Sequence, residues 1–434
     1  FFKQKTAYEM CGRDWSSDVC SSDLAAVPTL RMSAQIADEW MPRILASEYD
    51  RRDIPVDEKS SALLGMFMTE KQGGSDVRAN TTSAVALEAR SGEGAPYLLT
   101  GHKFFCSAPM GDAFLVLART EGQEVSCFLV PRWRPDGQRN NLAIQRLKNK
   151  LGNRSNASAE IEFQETYGVM VGEEAKGIRT IIEMVNGNRI YCAMSSAGMM
   201  RQALAQALHH TRHRSAFGRP LIAQPLMQNV LADMAIEAEA ALALGLRVAA
   251  AMDQPGDPQE VAMARLGTAV AKYWNTRRCP YLIFEAMECH GGPGYIEDSI
   301  LPRLYREAPV NSIWEGSGNV IGLDVLRTIS REPEGIASFF DEIEKARGAD
   351  SRLDRAIDEL KNTITSSEGL ESRMRTVTEM MALTLQGSLL VRHADPVVAH
   401  TFLESRLNQR YRGAFGSLPG GTDLEAIIQR ALPG

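Results

Sequence analysis

No apolar run in this chain approaches the roughly 20 residues needed to cross a bilayer, and none is flanked like a secretory signal. Cysteine is sparse: seven in 434 residues, with no Cys-x-x-Cys pair and no regular spacing. That argues against a disulfide framework or a zinc ribbon and makes a reducing cytoplasm the expected setting. Neither sign of charge dominates, and a net charge of −6 gives no bulk electrostatic support for nucleic-acid binding. A Walker A sequence is missing, as is any G-x-G-x-x-G after a strand, so neither a P-loop nor a Rossmann site is expected. There is no internal repeat and no low-complexity tract. What is present is an ordinary globular composition, 44% hydrophobic and 24% charged. Its length leaves room for about two to four domains.

The opening stretch FFKQKTAYEMCGRDWSSDVCSSDL has no starting Met and no sustained helical or strand period. It resembles translated sequencing-adapter read-through, so residues 1–24 read as an artefactual tail that removes Cys11 and Cys20 from the argument. Residues 25–62 contain a helix or two, with Leu30, Ile36, Trp40 and Leu45 as loosely spaced apolar positions. From residue 63 to about 172 the texture changes to short β-like runs broken by turns: Leu63–Met68, Tyr97–Thr100, Phe114–Ala118, Ser126–Val130 and Ala159–Phe163. Runs at this spacing predict a small antiparallel barrel or sandwich.

Residues 173–332 read as helical. Ile190, Ala193, Met194, Ala197, Met200, Leu204, Ala207 and Leu208 follow i, i+3, i+4, i+7 spacing. Leu226 to Ala251 repeats the pattern through Val230, Leu231, Met234, Ala241 and Leu242, a third stretch spans Val261 to Cys289, and a fourth follows Asn319. Four long amphipathic helices predict a bundle. Pro333–Gly335 reads as a linker into a further helical region, residues 333–434.

Five segments carry candidate chemistry. In Pro309-Val310-Asn311-Ser312-Ile313-Trp314-Glu315-Gly316-Ser317-Gly318-Asn319, one carboxylate stands between bulky apolar residues and a run of small ones. Glu315 is then either an acid in the first turn of a helix or a base whose pKa is raised by one-sided desolvation. Met68-Thr69-Glu70-Lys71-Gln72-Gly73-Gly74-Ser75-Asp76 follows a predicted strand and is either a polar turn or a place where main-chain amides and hydroxyls meet a ligand. In Gly101-His102-Lys103-Phe104-Phe105-Cys106-Ser107, an aromatic two residues before a hydroxyl suits either a strand core or the edge of a planar cofactor. Arg212-His213-Arg214-Ser215-Ala216-Phe217-Gly218-Arg219-Pro220 ends a helix, so its arginines serve the helix dipole or clamp a pyrophosphate. Glu288-Cys289-His290-Gly291-Gly292-Pro293-Gly294-Tyr295 has three glycines where a helix cap needs one, which suggests close approach of a ligand or a partner chain.

These five segments, in this order and with these gaps, resemble the acyl-CoA dehydrogenase flavoprotein superfamily. MTEKQGGSDV, RLKNKLGNRSNAS, LPRLYRE and PVNSIWEGSGN resemble its AidB-type branch, the adaptive-response alkylation proteins. The resemblance runs from about Leu63 through Arg327. It implies an acyl-CoA dehydrogenase-like fold: a remnant N-terminal helical domain, an antiparallel β-barrel, a four-helix bundle and an extra helical C-terminal region. It also implies a homotetramer built from dimers, with FAD between barrel and bundle and touching a neighbouring subunit.

Carried over by position, Thr69, Gly74 and Ser75 would bind the flavin, and Phe105 and Ser107 would pack and hydrogen-bond against its ring. Arg214, Phe217, Gly291 and Gly292 would meet FAD from an adjacent subunit, with Ser317 and Asn319 as further contacts. Glu315 would remove the proton α to a thioester carbonyl while a β-hydride goes to flavin N5, which makes an acyl-CoA-like thioester the implied substrate. No metal is implied. The family's flavin-stacking Trp is replaced by Phe104-Phe105, its common Gln by Glu288, and the Gln after F-G-x-P-L is displaced to Gln224, ahead of Pro225. Little chain precedes the barrel, so an exposed apolar face and weak activity are expected of this chain as it stands.

The AidB-type branch also implies a second role, a DNA-associated flavoprotein with little dehydrogenase activity. Residues 335–434 hold 12 Lys and Arg against 14 Asp and Glu, and only Arg392, Arg406, Arg410 and Arg412 form a local basic surplus. Charge therefore gives DNA binding no support here.

Overall fold

A computed structural model describes residues 23–122, 125–366, 368–408 and 413–433. The tail reading of residues 1–24 falls outside these, apart from Asp23 and Leu24, and so do Arg410 and Arg412. The chain forms two compact units, one ending at Asn188 and one starting at Arg189. Among the described residues, no helix is long and apolar enough to cross a membrane.

The first unit opens with a helical stretch at 23–30 and helix α1 (Ala34–Ile44). α1 buries Ile36, Trp40 and Ile44, one residue per turn of a single stripe. Of the loosely spaced apolar positions, Leu45 lies just past the helix end and is exposed. Seven strands follow: β1 (Leu64–Phe67), β2 (Ser83–Ala86), β3 (Pro96–Ser107), β4 (Ala113–Arg119), β5 (Val125–Pro131), β6 (Leu142–Leu147) and β7 (Ser158–Val171). Pairing runs β4–β2–β3–β7–β5 and returns to β4, so the sheet closes on itself, with β1 added to β4 and β6 to β7. Closure removes the unpaired edges an open sheet would present.

The barrel departs from all-antiparallel pairing at one place: β4 runs parallel to β1 and to the start of β2. β5 follows β4 as a tight antiparallel neighbour over its whole length. The other edge of β4 is thus left to strands that arrive through long connections, and these run in the same direction. Phe67, Tyr97, Leu99, Phe114, Val116, Phe128, Val130, Ile161 and Phe163 fill the interior, with the Phe67 and Phe114 rings stacked 4.1 Å apart.

Helix α2 (Gly177–His213) starts in the first unit and continues in the second. With α3 (Pro225–Met252), α4 (Pro258–His290) and α6 (Gly318–Arg331) it supplies the four helices the spacing predicts, though α4 is buried on nearly all sides rather than amphipathic; the short α5 (Leu301–Glu307) lies between α4 and α6 in sequence. Both α3 and α4 begin with Pro at the first helical position, and Asp257 caps α4 by accepting from the Gln259 and Glu260 amides. Within the second unit Leu204, Met234, Leu244, Val270 and Ile283 are fully buried in one continuous core, whereas Leu242 lies on the exposed face of α3.

The linker expected at Pro333–Gly335 is instead the first turn of α7 (Pro333–Glu344). Pro333 is tolerated there because the first helical N–H needs no intrahelical acceptor. Helices α8 (Ser351–Thr365), α9 (Leu370–His393), α10 (Pro396–Phe402) and α11 (Leu424–Ala431) complete the C-terminal region. It is tied to the bundle by buried charge. Arg406 reaches both Asp233 and Glu237 of α3, and Glu237 also pairs with Arg278 of α4 at 2.9 Å.

Candidate functional site

The candidate residues fall into two groups, one in each unit. In the barrel, Thr69 forms an isolated antiparallel bridge with Phe105, and the Phe104 amide donates to the Thr69 carbonyl at 2.8 Å. Ser107 lies two residues beyond Phe105, so its side chain falls on the same side of β3. Phe105 is 47% exposed and Gly74 and Ser75 are exposed, so the loop and the strand together offer an accessible face. Of the paired glycines, Gly73 is the one packing requires: a Cβ there would meet Asn80 Oδ1 at 2.7 Å and the Asp76 carbonyl at 2.8 Å.

The loop is held from beneath by Glu70, a residue to which the motif reading gave no role. Glu70 accepts from the Thr81 amide at 2.7 Å, the Thr82 hydroxyl at 2.6 Å, the Gln72 amide at 2.7 Å and the Lys103 ammonium at 2.7 Å. Burial raises the Glu70 carboxyl, but the Lys103 charge and these donors outweigh it and hold it at about 2. Lys103 is fully buried, and burial pushes its ammonium below the usual range despite the Glu70 charge. His102 has a partner of its own, Glu162 at 2.6 Å across to β7. Lys148, from the RLKNKLG segment, stands 3.2 Å above the Phe104 ring centroid and 4.6 Å from that of Phe105.

In the second unit, α6 begins at Gly318 with Ser317 as its N-cap, so Glu315 does not sit in a first helical turn. It occupies a left-handed turn with φ 55°, followed by Gly316 at φ 104°. A non-glycine residue in that region is strained by about 1–3 kcal/mol and persists only where its surroundings impose it. Two buried cations do so here. Lys272 of α4 donates to the Trp314 carbonyl at 2.8 Å and to the Gly316 carbonyl, while Arg189 of α2 donates to the Glu315 carbonyl at 2.9 Å. Arg189 is fixed in turn by Asp324 at 2.7 Å, which Arg265 also grips. Burial pushes the Lys272 ammonium down to about 8, against the attraction of Cys192 and Glu315. Trp314 is anchored through its indole N–H to Asn311 at 3.1 Å.

Ser317 and Asn319 are exposed at the start of α6, and Asn319 accepts from Arg375 of α9 at 2.8 Å. Arg214 directly follows α2 and leads into a hairpin with a two-residue turn that pairs Ser215 with Pro220 and Ala216 with Arg219. Phe217 and Gly218 form its tip with φ of 52° and 79°, the backbone of a type I′ turn. The turn leaves Phe217 97% exposed. Gly291 and Gly292 are exposed with open space around them, whereas Gly294 packs inward, its absent Cβ only 2.3 Å from the Met287 carbonyl. The His210 and His290 rings stack with centroids 4.4 Å apart and bring these two segments together. Burial lowers the pKa of both.

Three residues that sequence reasoning passed over thus organise the site: Glu70, Lys272 and Arg189. The readable signal for Lys272 was a single ammonium inside an apolar helical stretch, Ala269-Val270-Ala271-Lys272-Tyr273-Trp274. The basic cluster considered for DNA is partly committed elsewhere, since Arg392 pairs with Glu342 at 2.6 Å and Arg406 is buried.

Comparison with known proteins places the fold and the family. Residues 65–166 match the acyl-CoA dehydrogenase middle domain, and residues 175–330 match the acyl-CoA dehydrogenase C-terminal domain. The chain is 44% identical to AidB of Escherichia coli over 409 residues, 94% of this chain and 72% of that protein. The crystal structure of Caenorhabditis elegans ACDH-11 in complex with C11-CoA superposes with a TM-score of 0.80 at 28% identity, covering 89% of this chain and 70% of that one. An acyl-CoA dehydrogenase from Bacillus anthracis complexed with FAD superposes with a TM-score of 0.68 at 17% identity, a likeness of fold alone. The chain belongs to the acyl-CoA dehydrogenase family, with AidB among its relatives.

Proposed function

We propose that this chain is an FAD-dependent dehydrogenase of CoA thioesters in which Glu315 is the catalytic base. One observation carries the reading: Glu315 stands outside helix α6 in a strained left-handed turn, and two buried cations hold that turn. The residues present suit FAD. Thr69 and Ser107 offer hydroxyls beside the exposed Phe105 ring, Ser75 offers one on the exposed loop that follows Thr69, and the open glycines 291 and 292 admit close approach. Arg214 offers a guanidinium of the kind that binds phosphate. On this reading the first group holds the flavin ring. Arg214, Phe217, Gly291 and Gly292 meet the cofactor of a neighbouring copy in a homotetramer, and Ser317 and Asn319 contact it near the base.

When bound, FAD supplies the acceptor, at flavin N5, for the hydride that leaves the β-carbon. The chain's own contribution is position and proton transfer. The Glu315 carboxylate takes the proton α to the thioester carbonyl, and the electron pair of that C–H bond becomes the new C=C bond. The domain division that accompanies this reading is a helical remnant at 25–62, a barrel at 63–172, a bundle at 173–332 and a further helical region at 333–434.

The test is spectroscopic. Purified chain should show a flavin spectrum that bleaches on addition of an acyl-CoA from a panel of short branched and straight thioesters. Glu315→Gln should keep the spectrum and lose the bleaching, a drop of at least about a hundredfold in rate. Bleaching retained in that variant would place the base elsewhere. The alternative, a DNA-associated flavoprotein, requires affinity that falls steeply with salt, and binding that is flat or absent across a salt series removes it.

A further inference from the structure

We infer that Lys272 and Arg189 are positioning residues for the base, gripping the carbonyls of Trp314, Glu315 and Gly316 and so holding Glu315 in its left-handed conformation. The inference rests on reading Glu315 as the base. Three consecutive peptide carbonyls are held by long cationic side chains reaching in from two different helices, α2 and α4. A turn that only had to connect α5 to α6 would not need this, since solvent can satisfy its carbonyls. A buried ammonium costs several kcal/mol unless its donors are satisfied, and Lys272 is 1% exposed. An apolar residue at this helical position would pack without that cost.

The charges facing Lys272 also point to the base. Cys192 and Arg189 face it from α2, and Glu315 faces it from the turn; Cys192 and Glu315 attract it and Arg189 repels it. Arg189 has Asp324 as its counter-ion, whereas the carboxylate attracting Lys272 is that of Glu315. The ammonium that fixes the backbone of the turn is therefore coupled electrostatically to the group doing the chemistry. Two consequences follow. Loss of the ammonium should let the turn relax toward ordinary backbone and displace the carboxylate, and displacement of about 1 Å can cost a hundredfold in rate. Deprotonation should weaken two charge-assisted hydrogen bonds, so activity should fall on the alkaline side near the depressed lysine value of about 8.

The experiment compares wild type, Lys272→Met, Lys272→Arg and Glu315→Gln, reading flavin bleaching by isobutyryl-CoA and butyryl-CoA from pH 6 to 10 alongside flavin content and melting. Lys272→Met is expected to lower the limiting rate tenfold to a hundredfold with little change in half-saturation, and to lose the alkaline limb. Lys272→Arg, which stays charged, should recover most of the rate and shift the limb upward. If Lys272→Met does not fold, Lys272→Arg against wild type still reads the limb. Should Glu315→Gln abolish bleaching while both lysine variants keep wild-type rates and pH profiles, the positioning role is overturned and the base reading stands. Should wild type fail to bleach, or Glu315→Gln bleach normally, the base reading falls and this inference falls with it.

Discussion

The loop carrying Thr69, Gly74 and Ser75 is fixed by a buried carboxylate, and the turn carrying Glu315 by buried cations, so the two clasps have opposite sign. In the barrel, the Glu70 carboxylate gathers donors: the Thr81 amide, the Thr82 hydroxyl, the Gln72 amide and the Lys103 ammonium. In the bundle, the Lys272 ammonium gathers acceptors, the carbonyls of Trp314 and Gly316. An anion suits a loop that folds over with its N–H groups inward, and a cation suits a turn whose carbonyls face the core. The barrel clasp is also internally neutralised by Lys103, whereas the bundle clasp looks to Glu315 for its carboxylate. The first has the character of a structural device, and the second is wired to the proposed chemistry.

Breaking the pairs should expose that difference most strongly. Lys103→Met strands a buried carboxylate and is expected to cost about 3–5 kcal/mol, read as a lower denaturation midpoint. Lys272→Met removes an ammonium already weakened by burial, so its cost in stability should be well below that and its main loss should be in rate. Equal stability losses would erase the distinction. Next come the glycines: Gly73→Ala should destabilise by about 1–3 kcal/mol because its Cβ collides with Asn80 and Asp76. Gly74→Ala, whose Cβ would meet only Thr69 Cγ2 at 3.4 Å, should cost less and act mainly on flavin retention.

The pH dependence should separate the clasps by window, acid for one and alkaline for the other. Folding lowers the Glu70 carboxyl from 4.5 to about 2. Its contribution is therefore fully present above pH 4.5 and drains away as pH falls toward 2, visible as acid-induced loss of stability. Folding lowers Lys272 from 10.5 to about 8, so between those values the unfolded chain binds more proton. For that group, stability should hold or rise from pH 8 toward 10.5 while the bleaching rate falls, and a parallel fall of both would contradict it. The smallest effect belongs to Phe217→Ser, which removes an exposed ring. It should change melting by less than about 0.5 kcal/mol, yet should loosen flavin binding if the ring meets a neighbour's cofactor.

How much of this was legible depends on where each residue's partners lie. The barrel was readable through Phe114–Ala118 and Ser126–Val130, apolar runs that became β4 and β5. β2 was passed over because Ser83–Ala86 is short, and β6 because most of Leu142–Leu147 faces solvent and carries no apolar alternation. The five candidate motifs could be picked out because their glycines, hydroxyls and carboxylate stand together in sequence. Lys272 and Arg189 were not, since what they hold is main-chain oxygen more than 40 and 120 residues away. A peptide carbonyl has no letter of its own to read. Glu70 lay inside a recognised motif, but its partners Thr81, Thr82 and Lys103 are brought to it only by barrel closure.

The contact of Arg406 with Asp233 and Glu237 has a consequence for the order in which the molecule is made. Helix α3 leaves the ribosome with two acidic side chains destined for a dry interior, and Arg278 of α4, which arrives soon after, pairs with Glu237. Asp233 must wait until the chain has grown by more than 170 residues for its guanidinium. Until then the bundle must keep that carboxylate in contact with water. The C-terminal region is thus the final charge in the bundle's own interior, and a nascent chain stopped short of Arg406 would hold a bundle that cannot dry out.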